Sequence, residues 1–130
     1  MSYDCWCDYD PPTFCTVTTP RARKRHKCDE CSGYVEVGEQ YEYTAGLWEG
    51  YFQIFKICER CYDLRTWVKN NVPCLCWAYG NITDDCRDAI DAVTECASAE
   101  TRGLRFGFLR RIVARDKLNR ERRAHLDSAR

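Results

Sequence analysis

Histidine is nearly absent from this 130-residue chain, which holds only His26 and His125, and net charge is absent altogether, twenty Lys+Arg facing twenty Asp+Glu. Two histidines leave little material for histidine-dependent nucleophilic chemistry. A zero balance gives no overall pull towards nucleic acid or a membrane surface. Long apolar runs are missing too: nothing approaches the roughly 20 apolar residues of a membrane helix. Residues 1–20 carry Asp4, Asp8 and Asp10 with no apolar stretch, so no secretory signal is expected. No glycine-rich phosphate loop occurs. Against these absences stands one excess, eleven cysteines. An odd number cannot all pair within one chain, and without a secretory signal the expectation is a soluble protein of a reducing cytosol, whose clustered cysteines bind metal. Hydrophobic residues at 45% and aromatics at 13% suffice for a modest core.

The neutral total hides strong segregation. Net charge is −3 over residues 1–20, +5 over 21–27, −6 over 28–63, −3 over 64–100 and +7 over 101–130. Local fields of either sign can therefore be large.

The pattern predicts an α+β protein in three stretches: an irregular N-terminal segment with a basic strip (1–27), a zinc module (28–72) and a helical region with a basic tail (73–130). Pro11, Pro12 and Pro20 break regular structure early. Gln40–Thr44 and Tyr51–Ile57 alternate with period two around a turn at Gly46–Gly50, which reads as a β-hairpin. Cys61, Leu64 and Val68 mark a short helix ending before Asn70-Asn71. Thr83 with Asp84 and Asp85 reads as the start of a second helix, along which Cys86, Ala89, Ile90, Val93 and Ala97 share a face. Gly103 and Gly107 read as interruptions before a third helix from Phe108, whose tail beyond about residue 118 would fray or order against a partner.

The strongest chemical signal is Cys28-x2-Cys31 followed, after 26 residues, by Cys58-x2-Cys61. Two such pairs let four thiolates converge on one tetrahedral Zn²⁺ at about 2.3 Å. The second pair lies where a helix begins, whose dipole favours thiolates. A knuckle, a hairpin and a Cys pair opening a helix is a treble-clef or zinc-ribbon order of elements. A closed four-sulfur shell leaves no position open for substrate. His26 could compete as a ligand. Cys5-x-Cys7 with Cys74-x-Cys76 could form a second metal site, whereas Cys86 and Cys96 fit a helix interior; Cys15 has no assigned role.

Arg21, Arg23, Lys24, Arg25 and Lys27 precede the first Cys pair and, with Tyr41, Tyr43, Trp48, Tyr51, Phe52 and Phe55, could form a nucleic-acid platform. Glu36, Glu39, Glu42 and Glu49 on the same hairpin would repel phosphate, and the rings could instead cover the zinc core. Residues 102–130 could dock on an acidic partner, lie along phosphate, pair in a homodimer or cover the acidic module of their own chain. Asp84, Asp85, Asp88 and Asp91 could hold a divalent cation, the least favoured reading being a metal-dependent nuclease.

The run Asp8-Tyr9-Asp10-Pro11-Pro12-x-Phe14, then Ala22-Arg23-Lys24-x-His26-x-Cys28-x2-Cys31, Gly38-Glu39-x-Tyr41-Glu42, Trp48-Glu49-Gly50 and Cys58-x2-Cys61, resembles small zinc-finger proteins of tailed bacteriophages and prophages. The likeness covers residues 8–68 and continues weakly through Cys76-Trp77-x2-Gly80 and Asp85–Ile90. It implies a metal role for Cys28, Cys31, Cys58 and Cys61, and a place in the infected bacterial cytoplasm. By analogy, it implies a non-enzymatic protein that binds and inhibits a host defence or nucleic-acid-processing complex. The extra cysteines Cys5, Cys7, Cys15 and Cys96 depart from the pattern.

Overall fold

Period-two alternation over Tyr41–Trp48 and Tyr51–Cys58 builds the centre of the molecule. In the computed structural model, which describes residues 9, 11–95 and 103–128, these segments are strands β4 and β5. Before them come β1 (Phe14–Thr18), β2 (His26–Lys27) and β3 (Tyr34–Val35), and after them α1 (Glu59–Asn71), α2 (Ile82–Glu95) and α3 (Leu104–Ser128). The chain is thus α+β: an antiparallel sheet ordered β1-β4-β5, a small β2-β3 ladder, and three helices.

The hairpin pairs Tyr41 with Cys58 through to Trp48 with Tyr51. Its turn is tighter than Gly46–Gly50: only Glu49 and Gly50 lie outside the strands, with φ of 49° and 83°. Two positive φ values suit the two-residue turn whose twist matches the strands. Residues 1–20 also depart from expectation. Phe14–Thr18 zips antiparallel onto β4, from Phe14 opposite Leu47 to Thr18 opposite Tyr43. Pro11, Pro12 and Pro20 bracket this edge strand rather than prevent it, because an edge tolerates proline at its ends.

Register sorts the side chains onto two faces. Phe14, Tyr43, Leu47, Phe52 and Ile54 share one; Glu42, Thr44, Trp48, Phe55 and Ile57 share the other. The second face is covered by helices. Ile57 packs into the core with Leu64 and Val68 of α1, Ile82, Cys86 and Ile90 of α2, and Leu104 and Phe108 of α3. Beside it, Arg65 clasps the buried Glu42 through two hydrogen bonds of 2.8 and 2.5 Å. The Tyr79 hydroxyl donates to Glu42 at 3.2 Å and shares a 2.9 Å hydrogen bond with Thr44. Phe55 and Tyr79 stack with centroids 4.6 Å apart, with Trp48 edge-on to Phe55. These rings and Arg65 line a cleft of about 770 Å³.

Both later helices start earlier than their local signals suggest. At α2, Glu30 reaches across from the Cys28–Cys31 loop and its carboxylate accepts the N–H groups of Gly80 and Ile82, the latter at 2.8 Å. A remote carboxylate thus satisfies donors that a cap at Thr83 was expected to serve. At α3, Gly107 lies inside the helix. A Cβ there would come within 2.6 Å of the Trp67 ring, so glycine is what lets α1 and α3 approach so closely. The tail beyond residue 118 does not end the helix, which continues to Ser128. Cys5, Cys7, Cys96 and Ala97 lie outside the described residues.

Candidate metal centre

Two local structures bring the four cysteines together. Cys28 and Cys31 occupy a tight loop between β2 and β3, closed by Cys28 N–H donating to Gly33 O at 2.8 Å and Ser32 N–H to Cys28 O at 3.1 Å. Cys58 ends β5 in an extended conformation and is the N-cap of α1, whose first turn carries Cys61. The expected placement of this pair at a helix start is what the fold contains.

The sulfurs form a compact cluster. Cys28 Sγ lies 3.8 Å from Cys61 Sγ, Cys31 Sγ lies 3.7 Å from Cys58 Sγ, and all four lie within 4.8 Å of one another. A tetrahedron with zinc–thiolate bonds of about 2.3 Å has sulfur–sulfur edges of about 3.8 Å. The arrangement is therefore compatible with a metal site. Cys28, Cys58 and Cys61 are each 1% exposed. The neighbouring sulfurs drive one another's pKa values apart: Cys31 far down, Cys58 and Cys61 far up, so thiolate forms side by side are in conflict. A bound cation removes that conflict.

Donors surround the sulfurs. Cys28 Sγ accepts from the backbone N–H of Glu30 at 3.4 Å and of Cys58 at 3.3 Å. Two further donors come from α3: Arg115 to Cys61 Sγ at 3.7 Å, and Asn119 Nδ2 to Cys31 Sγ at 3.4 Å. One turn on, Arg122 donates to Tyr34 O at 2.7 Å and grips both carboxylate oxygens of Glu39 at 2.7 and 3.0 Å. Spacing at i, i+4 and i+7 puts these three on one helix face. Of the roles open to residues 102–130, covering their own acidic module is the one the described part of α3 takes. Gly33 makes the approach possible, since a Cβ there would collide with the Asn119 carboxamide.

The other candidate residues are dispersed. His26 is outside the cluster; its ring lies 4.9 Å from that of Tyr41, and burial followed by the charge of Lys56 lowers its pKa. In the basic strip, Arg21 bonds Gly38 O at 3.0 Å and Arg25 pairs with Glu36 at 3.2 Å, while Arg23, Lys24 and Lys27 stay exposed. Asp85 is buried and accepts from the Tyr9 hydroxyl, Ala78 N–H and Asn81 Nδ2, each at 2.9 Å. Asp84 pairs with Arg87 and Asp91 with Arg105. Among the described residues, the four cysteines form the one cluster of metal-ligating groups. Cys74 is disulfide-bonded, with its sulfur 3.7 Å from Cys76 Sγ, so it is not available as a thiolate ligand. No helix among the described residues is long and apolar enough to cross a membrane.

Arg115 and Asn119 are the contributors that sequence reasoning missed. They lie 54 and 88 positions from the cysteines they contact. Their only sequence trace is a polar face within a helix that looks charged all round. No family model, curated protein or solved structure matches this chain.

Proposed function

We propose that this chain is a non-enzymatic, phage-encoded zinc protein that acts by binding, and that it inhibits a protein complex of the infected bacterial cytoplasm. The cysteine cluster holds one structural Zn²⁺ in this reading: three buried sulfurs and the half-buried one of Cys31, closed on one side by α3, favour folding over substrate access. The observation that carries the binding role is the uncovered sheet face. Phe14 is 56% exposed, Phe52 63% and Ile54 44%, contiguous with Leu47, an apolar patch of the kind that marks protein contacts. The phage origin and host target rest on the sequence resemblance alone.

The test begins with metal analysis of freshly purified protein, where about one zinc per chain is expected. Tagged protein is then recovered from infected cells after nuclease treatment. A specific complex should co-purify with the wild type and be lost from Phe14→Asp/Phe52→Asp protein that keeps its zinc. Retention of the complex by that double variant would sink the reading.

Direct nucleic-acid binding is the second reading. Pairing of Glu39 with Arg122 and Glu42 with Arg65 supports it, because these carboxylates, expected to repel phosphate, are neutralised by bases outside the strip. It predicts affinity that falls steeply with salt and drops in an Arg23→Ala/Lys24→Ala/Lys27→Ala variant.

A further inference from the structure

Strand β5 forms one edge of the sheet, and its backbone groups on the outer side can be followed one by one. Near the cysteines they are taken: Lys56 O accepts from Asp29 N–H at 2.8 Å, Lys56 N–H donates to Asp29 Oδ2 at 2.7 Å, and Cys58 N–H donates to Cys28 Sγ at 3.3 Å. Backbone groups alternate sides along a strand, so Phe52 and Ile54 turn their N–H and C=O outwards as well. Among the described residues these groups meet no partner.

Natural edges are blunted by proline, charge or a covering segment. The β1 edge is bracketed by Pro12 and Pro20, and the cysteine end of β5 is covered by Asp29. The remaining stretch, Tyr51-Phe52-Gln53-Ile54-Phe55, has none of these protections.

We propose that this chain forms a two-fold dimer in which β5 pairs antiparallel with β5 of a second copy, centred on Gln53. This register uses only the unpaired groups: Phe52 of each copy faces Ile54 of the other, and each such pair exchanges both hydrogen bonds. A slip towards the cysteines, centred on Ile54, would bring in Lys56, whose place is already taken by Asp29, and a slip the other way would bring in Gly50 of the turn. Side chains match as well as backbones do. Phe52 meets Ile54 on one face; Tyr51 meets Phe55, and Gln53 its own copy, on the other. A two-fold contact sets each surface against itself, which penalises charge, and residues 51–55 carry none. An acidic peptide or a phosphate chain would find no complementary charge on this stretch, whereas a second copy is matched to it. Pairing would also join two uncovered apolar faces into one continuous sheet surface. The inference does not depend on which partner that surface binds.

Light scattering after size exclusion, with sedimentation from low to high micromolar concentration, should give a mass approaching twice the 15.3 kDa of one chain. Ile54→Pro removes an outward N–H and spares the ladder to β4; it should weaken association at least about tenfold while metal content and helical circular dichroism persist. Gln53→Lys and Gln53→Glu should each be monomeric alone and associate when mixed, because position 53 faces itself across the axis. If Ile54→Pro does not fold, this charge-swap pair decides. A chain that is monomeric throughout, or a dimer unchanged by the Gln53 substitutions, would overturn the proposal.

Discussion

Arg115 is 8% exposed and sits with one nitrogen on Cys61 Sγ and 2.9 Å from Thr83 Oγ1. Its cation is placed to offset the negative charge left when four thiolates share one divalent ion. Groups outside the ligand shell typically alter metal affinity 10–100-fold when removed. Arg115→Met should therefore weaken metal binding by about tenfold or more, measured by competition with a chromogenic chelator. Arg115→Lys, which keeps the charge, should lose less. Glu39 makes a different, pH-dependent contribution. Hydrogen bonds from Arg122 hold its carboxyl below the ordinary value near 4.5, against the opposing effect of burial. A carboxyl whose pKa is lowered by folding adds stability above its unfolded value, and that stability is lost as pH falls through the lowered folded value. Wild type should thus melt above Glu39→Gln at neutral pH, with the gap closing on acidification. Protonation of the cysteines affects both proteins alike, so the difference isolates the pair.

Among the elements, the hairpin turn offers the cleanest test. Glu49 adopts φ of 49°, a left-handed conformation that costs most side chains about 1–2 kcal/mol, whereas asparagine tolerates it. Glu49→Asn should raise the denaturant midpoint by an amount worth about 1 kcal/mol or less, with the slope unchanged. The hairpin was legible because its signals are local: alternation over Gln40–Thr44 and Tyr51–Ile57 around a glycine-bearing turn, though the strands run closer together than Gly46–Gly50 suggests. The two C-x2-C spacings were legible for the same reason, since each fixes a tight turn irrespective of the rest of the chain. Features that depend on distant neighbours were not. Phe14–Thr18 is a strand because Tyr43–Leu47 offers it an open edge, which nothing near the prolines reveals. Gly107 reads as a break until Trp67 lies against it, and the start of α2 depends on Glu30, 52 residues before Ile82. Arg115 and Asn119 belong to the same class: local pattern identifies a charged helix, and only tertiary packing identifies which of its faces meets the sulfurs.

Across the whole molecule, the neutral charge total acquires a structural meaning. Bases late in the chain meet acids and sulfurs early in it, Arg122 with Glu39 and Arg115 with Cys61, and the neutral Asn119 adds an amide donor to Cys31. The two halves of α3 are consequently held by different forces. Leu104 and Phe108 sit in the apolar core, and Gly107 packs under Trp67, none of which requires a metal. From Arg115 onwards, the polar contacts to the module go to Cys61 Sγ in α1 and, beyond it, to Cys31 Sγ, Tyr34 O and Glu39 around the cysteine loop. That loop is short of regular structure, with a β2-β3 ladder of two residues a side, so an ion bound by the cluster would supply much of its order. Chelation should therefore act at a distance from the cysteines. In hydrogen exchange, amides of Asp116–Ser128 should lose protection together with the Cys28–Val35 loop, while amides around Phe108 and the Leu64–Val68 turn of α1 remain slower. Cys28→Ser should reproduce the pattern without chelator. A tail that stays protected after metal loss would show that α3 is held by its core contacts alone, and that the +7 segment is latched independently of the metal centre.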